Sequence, residues 1–108
     1  MSESRLGEFE EIILLLVGIL GEEAYAYKIE EEFAQQTKKS STIGAIHSTL
    51  NRLEKKGFLD SHMGEPSARR GGRRKRIYII TALGQRILRE SRDLRQSLWN
   101  QFPGFAGN

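Results

Sequence analysis

Apolar residues crowd the first third of this chain. Phe9, Ile12, Ile13, Leu15, Leu16, Ile19 and Leu20 cover more than one stripe of a helix, so a first helix from about Arg5 to Leu20 must be buried on two sides. Gly21 ends it. From about Ala24 to Gln36 the pattern narrows to Tyr25, Ile29 and Phe33, the i, i+4, i+8 stripe of a second helix whose Glu30, Glu31 and Glu32 lie away from much of it. A third helix is capped by Thr42 and closed by Gly57, with Ile43, Ile46, Leu50 and Leu53 at 3-4-3 spacing as its buried seam. Alternation then replaces helical spacing. Phe58 to about Gly64 predicts one strand and Arg74 to Ile80 a second, joined by a turn-rich tip. Thr81 caps a long last helix that reaches Phe102, where Pro103 stops it; Leu83, Ile87, Leu94, Leu98 and Phe102 form its apolar side.

The predicted fold is therefore mostly α with a small β-hairpin (α+β). Its outline is a winged helix-turn-helix over 1–80, followed over 81–108 by a dimerisation helix and tail that belong to the same folded unit. A 108-residue chain has a thin core and gains from oligomerisation. The second side of the first helix is assigned to a partner subunit, with Ile12, Leu16, Leu20, Ile87, Leu94 and Leu98 as interface residues.

Charge adds a direction to this outline. The net +3 divides into −7 over residues 1–37 (two cations, nine acids) and +10 over residues 38–108 (fifteen cations, five acids). Two glycines sit among six cations between Arg69 and Arg76, in the hairpin tip. So many uncompensated cations in one loop call for a polyanion opposite them. On the third helix, the face opposite the apolar seam presents Gly44, Ser48, Asn51, Arg52 and Lys55, with His47 at its margin. A helix in the major groove can tell base pairs apart there. Asn51 suits adenine, Arg52 suits guanine or a nearby phosphate, and Ser48 reaches either a base or a phosphate. His47 and Lys55 are assigned to phosphate, as are wing residues Arg69, Arg70, Arg73, Arg74 and Lys75 and the flanking Lys38 and Lys39. Arg76, nearer the sheet, is read as structural, and Arg86, Arg89, Arg92 and Arg95 as a solvated helix face.

Other chemistries find little support. There are no cysteines, and His47 and His62 fall in different elements, so no metal site, catalytic triad or cofactor is expected. Gly71-Gly72 lacks the spacing of a phosphate-binding loop, and an enzyme is not expected. The run from Ile12 to Leu20 is too short to span a bilayer and has acids rather than a basic segment before it, which points to a cytoplasmic protein. The competing reading, a winged helix that binds only protein, leaves the basic wing unexplained.

From Tyr27 to Leu88 the chain resembles the PadR family of bacterial transcriptional regulators. The resemblance is carried by Tyr27-Lys28-Ile29, the run from Gly44 to Leu59, the Gly71-Gly72-Arg73-Arg74-Lys75 wing and the run Tyr78-Ile79-Ile80-Thr81-Ala82-Leu83-Gly84. The chain departs from the family with His47 in place of its usual backbone-contacting tyrosine, Ser48 in place of a frequent proline, and Ala26 in place of a glycine. The resemblance implies a homodimer on double-stranded DNA, in most members a repressor on a pseudo-palindromic operator. It also implies release by a small aromatic or drug-like effector. Trp99, with Phe9 and Phe102, is the candidate for such a ligand, although interface packing is the more common use of a lone Trp on a dimerising helix.

Overall fold

A computed structural model describes residues 6–66 and 73–105. Helix α1 (Glu8–Leu20) is followed by a single 3-10 turn (Gly21–Glu23), α2 (Ala26–Thr37), α3 (Ile43–Lys55), strands β1 (Leu59–Met63) and β2 (Arg76–Ile80), α4 (Ala82–Gln101) and a last 3-10 turn (Pro103–Phe105). The expected order holds throughout, with the predicted boundaries displaced by a few residues. Helix α1 starts three residues later than expected because Gly7 is its N-cap, and Glu10 reaches back to the Gly7 N–H at 2.9 Å, one half of a capping box. Helix α2 starts at Ala26 because Tyr25 takes the extended N-cap conformation, and Lys38 closes it with φ +60°. Thr42 caps α3 by accepting the Ala45 N–H at 3.0 Å. Gly57 follows α3 with φ +84°, a conformation only glycine adopts without strain.

The core lies where α1, α2 and α3 converge beneath the hairpin. Ile13, Leu14 and Val17 from α1 meet Ile29 and Phe33 from α2, and Ile46, Leu50 and Leu53 from α3. Phe58, Leu59 and Tyr78 close it from the sheet. The side chain of Leu16 is 3% exposed and belongs to this core. Leu16, expected at the subunit interface, is therefore turned inward: α1 is apolar over a wide arc, most of it packs within the chain, and of its large apolar side chains only Leu15 and Ile19 are exposed.

The hairpin is antiparallel, with Leu59 opposite Ile80 and Met63 opposite Arg76. It is held in place at two points. The Tyr78 N–H donates to the Ala24 carbonyl at 2.9 Å, and the Thr81 N–H donates to the Phe58 carbonyl at 3.1 Å. Tyr78 is buried, and that burial, reinforced by the nearby Glu54 carboxylate and opposed by Arg76, raises its phenol above the ordinary range.

Helix α4 begins beside β2 and runs back along α1. Ser91 donates to Glu11 Oε2 at 3.1 Å and Arg95 pairs with Glu11 Oε1 at 3.3 Å, so Arg95 is not part of a purely solvated face as expected. Asp93 pairs with its neighbour Arg92 at 3.1 Å. The later turns of α4 carry Leu94, Leu98 and Trp99, each more than half exposed, and give the molecule its elongated 55 × 30 × 21 Å shape.

Candidate nucleic-acid interface

The solvent side of α3 is the side its sequence pattern predicted. Burial of Ile46, Thr49, Leu50 and Leu53 rotates Gly44, His47, Ser48, Asn51, Arg52 and Lys55 outward, and all six are exposed. Alongside stands the hairpin. Arg73, Arg74 and Lys75 lead into β2 beside α3, and a groove of about 510 Å³ runs between the two elements. His47 and Asn51 line it from the helix, Arg73 to Arg76 from the wing, and Tyr25 and Tyr27 from the start of α2. Lys38 and Lys39 lie exposed in the α2–α3 turn. Arg69 and Arg70 lie outside the described residues.

The wing is braced against α3 through polar contacts. Ser61 donates to Glu54 Oε2 at 2.8 Å, and Arg76 Nη1 lies 3.0 Å from the Ser61 hydroxyl, so Arg76 links β2 to β1. The Arg74 Nε donates to the Gly64 carbonyl at 3.1 Å, and Lys75 Nζ sits 4.6 Å from the centre of the Tyr25 ring. Both side chains therefore shape the wing while leaving their charge near its surface.

Arg52 has partners within the chain. Its Nε donates to Glu10 Oε2 at 2.8 Å and its Nη2 to Thr49 Oγ1 at 3.3 Å. Lys56 Nζ contacts both oxygens of the same carboxylate, at 3.1 and 3.0 Å. Burial pushes the Glu10 carboxyl up, but the Gly7 N–H, Arg52 and Lys56 together outweigh it and hold the group below its ordinary value. Arg52 is thus held by Glu10 and Thr49 while about half of its side chain stays exposed.

Two residues of this region were given no site role by the sequence reading. Tyr27 is 65% exposed where α2 begins, beside His47 and Asn51. Its signal was an aromatic off the inward stripe of Tyr25, Ile29 and Phe33. Glu10 was counted only among the acids flanking the apolar run. Its partners lie 42 and 46 residues further along, beyond any local pattern.

The candidate effector aromatics separate into two pairs. Phe9 packs edge-on against Phe33 with ring centres 5.2 Å apart, and Trp99 against Phe102 at 5.7 Å. Phe9 is thereby part of the rim of the core, because α1 and α2 cross next to it. Ile12, Leu20 and Ile87, expected at a subunit interface, pack partly against the core, whereas Leu94 and Leu98 are 61% and 56% exposed. Among the described residues no group of His, Cys, Asp and Glu could hold a metal ion, and no helix is long and apolar enough to cross a membrane.

Comparison with known proteins gives the same architecture a family. No curated protein sequence matches the chain. Among solved structures, a PadR-like transcription factor from Bacteroides fragilis superposes with a TM-score of 0.71 at 23% identity, over 91% of this chain and 89% of that one. A PadR family transcription regulator from Clostridium difficile R20291 gives 0.65 at 26% identity, over 89% and 98%. Bacillus subtilis PadR, solved in complex with operator DNA, gives 0.63 at 20% identity, over 80% of this chain and 47% of that one. The family model of the transcriptional regulator PadR-like family matches residues 14–90, which span α1 to the middle of α4, and with the winged-helix geometry this places the chain in that family, as a transcriptional regulator and not an enzyme.

Proposed function

We propose that the chain acts as a homodimer in the cytoplasm and represses transcription by binding a pseudo-palindromic operator in duplex DNA. The observation that carries this reading is the exposed row His47, Ser48, Asn51 and Lys55 on α3, set across a groove from the cationic wing. A helix of this kind reads base edges in the major groove, and a basic hairpin beside it follows the backbone or enters the adjacent minor groove. The operator complex of Bacillus subtilis PadR supports the same use of the fold here.

Dimerisation is supported by the apolar residues that stay exposed on α1 and α4. Leu15, Ile19, Leu94, Leu98 and Trp99 are each 44–65% exposed, too much apolar surface for an 108-residue monomer to leave in water without cause. A twofold dimer would present two α3 helices to half-sites about one DNA turn apart, or a multiple of it. Trp99 and Phe102 stand near this surface and are the proposed contact for a small aromatic effector that releases the DNA; Phe9, packed on Phe33, is a weaker one.

The test is a fluorescence-anisotropy titration of a labelled duplex from upstream of the protein's own gene beside a scrambled duplex, at several salt concentrations. With ~6–10 phosphate contacts per dimer, affinity should fall ~10³–10⁵-fold between ~50 and ~200 mM salt. Preference for the upstream duplex supports an autoregulated operator. Equal binding moves the operator elsewhere, and absence of binding to either duplex at low salt refutes the DNA reading.

A further inference from the structure

Glu10 is the one charged side chain in the buried core of the described residues, and it reaches across from α1 to the edge of α3. Its carboxylate holds Arg52, in the last turn of α3, and Lys56, the residue that closes the helix, beside the row that carries Asn51 and Lys55. The two cations are held differently. The Lys56 side chain is only 21% exposed and lies folded over the carboxylate, while Arg52 is 51% exposed. Arg52 is fixed through Nε by Glu10 and through Nη2 by Thr49, itself buried, so its outer edge is presented to solvent in one orientation.

This arrangement has consequences for affinity and for selectivity. A cation already paired inside the protein adds little to the counterion-release binding that any DNA sequence receives. An arginine immobilised before DNA arrives loses less freedom when it makes a directional contact. An acid behind a DNA-reading helix lowers attraction to phosphate everywhere, and that loss falls on random DNA as well as on the operator.

We propose that Glu10 is a specificity-determining positioning residue. By holding Arg52 and Lys56 against α3 it fixes Arg52 for one directional contact in the operator and keeps both cations from indiscriminate phosphate binding. The proposal rests on α3 being the DNA-reading helix.

The test uses the full chain, a duplex enriched by the wild-type protein from a randomised pool, and a scrambled duplex of the same composition. Anisotropy titrations over a range of salt compare the wild type with Glu10→Gln and Arg52→Gln, with thermal melting run on each variant. Glu10→Gln keeps an oxygen for the Gly7 N–H. It should bind scrambled DNA more tightly, with a log–log salt slope steeper by about two as the Arg52 of each protomer is released from Glu10. The enriched-to-scrambled affinity ratio should fall ~5-fold or more, the lower end of what one directional contact discriminates. Arg52→Gln, on a half-exposed side chain, should lower the same ratio while leaving the slope on scrambled DNA at its wild-type value, and it serves alone if Glu10→Gln fails to melt cooperatively.

A folded Glu10→Gln with unchanged slope and ratio overturns the proposal. So does an Arg52→Gln that lowers the scrambled-DNA slope by about two, one for each protomer, since Arg52 is then an ordinary phosphate contact. A wild-type chain that enriches no duplex overturns the DNA-reading proposal and this one together. Enrichment by the wild type combined with an unaltered Glu10→Gln removes only the role of Glu10.

Discussion

Replacing Gly84 by alanine should destabilise the protein even though alanine is the better helix former. Gly84 lies in the first turn of α4, where its N–H donates to Thr81 Oγ1 at 3.0 Å. A Cβ added there would stand 2.3 Å from the Phe58 carbonyl oxygen and 3.0 Å from Ile80 Cγ2. Ordinary contact needs about 3.5 Å, so α4 and the start of the hairpin must part by about 1 Å. The carbonyl cannot simply turn aside, because it accepts the Thr81 N–H at 3.1 Å, and Thr81 also donates its hydroxyl to the Gly57 carbonyl at 2.7 Å.

Overpacking of this kind costs ~1–3 kcal/mol. Weakening the Thr81–Phe58 hydrogen bond adds ~0.5–1.5 kcal/mol. The gain from glycine to alanine in a helix returns ~1 kcal/mol. The net expectation is a loss of about 0.5–3.5 kcal/mol, or roughly 2–28 °C in melting temperature for a domain of this size. The assay is thermal unfolding followed by circular dichroism, at matched protein concentration because a dimer melts in a concentration-dependent way. Gly84 also lets α4 start close against the Phe58 carbonyl, and under the proposed dimer sedimentation velocity should show a smaller dimer fraction. A Gly84→Ala protein that melts at or above the wild-type temperature would refute the reasoning, since α4 would then be free to shift at no cost.

Asn51→Ala should narrow the affinity gap between operator and scrambled duplexes by ~5-fold or more; an unaltered gap in anisotropy titrations would remove Asn51 from the base readers. Arg73→Ala should weaken both duplexes about equally and lower the salt slope by about two, one for each protomer, and a loss confined to the operator duplex would count against a backbone role for the wing. Leu98→Glu, placed on an apolar side chain that is more than half exposed, should convert dimer to monomer at micromolar concentration in sedimentation velocity; unchanged sedimentation would move the interface elsewhere. Glu10 adds a pH dependence. Its carboxyl lies below the ordinary 4.5 in the folded chain, so its ionised form stabilises the fold above the unfolded value, and this contribution is lost as pH falls through the lower folded value. The stability difference between wild type and Glu10→Gln in urea unfolding should therefore be full at neutral pH and shrink in acid, whereas a gap constant into acid would separate it from Glu10 ionisation.

The elements of the fold were legible because each rests on local signals. Thr42 and Thr81 cap their helices by accepting the N–H three residues on, and Gly57 takes the left-handed conformation that ends α3. The exposed face of α3 was legible too, since helical geometry turns Ser48 and Asn51 outward once Ile46, Leu50 and Leu53 turn inward. Boundaries were less so. Tyr25 is apolar enough to read as part of the α2 stripe, yet its extended conformation makes it the residue before the helix.

What the sequence by itself determined is the order of elements, the polarity of charge along the chain and the exposed polar face of α3. All three follow from spacing, capping and composition within a few turns of chain. Only the tertiary structure decided the partners. It buried Leu16 in the core, pinned Arg52 and Lys56 to Glu10, and joined Arg95 to Glu11 across two helices. It also left Leu94 and Leu98 exposed while covering part of Ile12 and Ile87. Periodicity tells which residues share a face, but which neighbour covers that face depends on how distant helices cross, and no local spacing encodes that crossing.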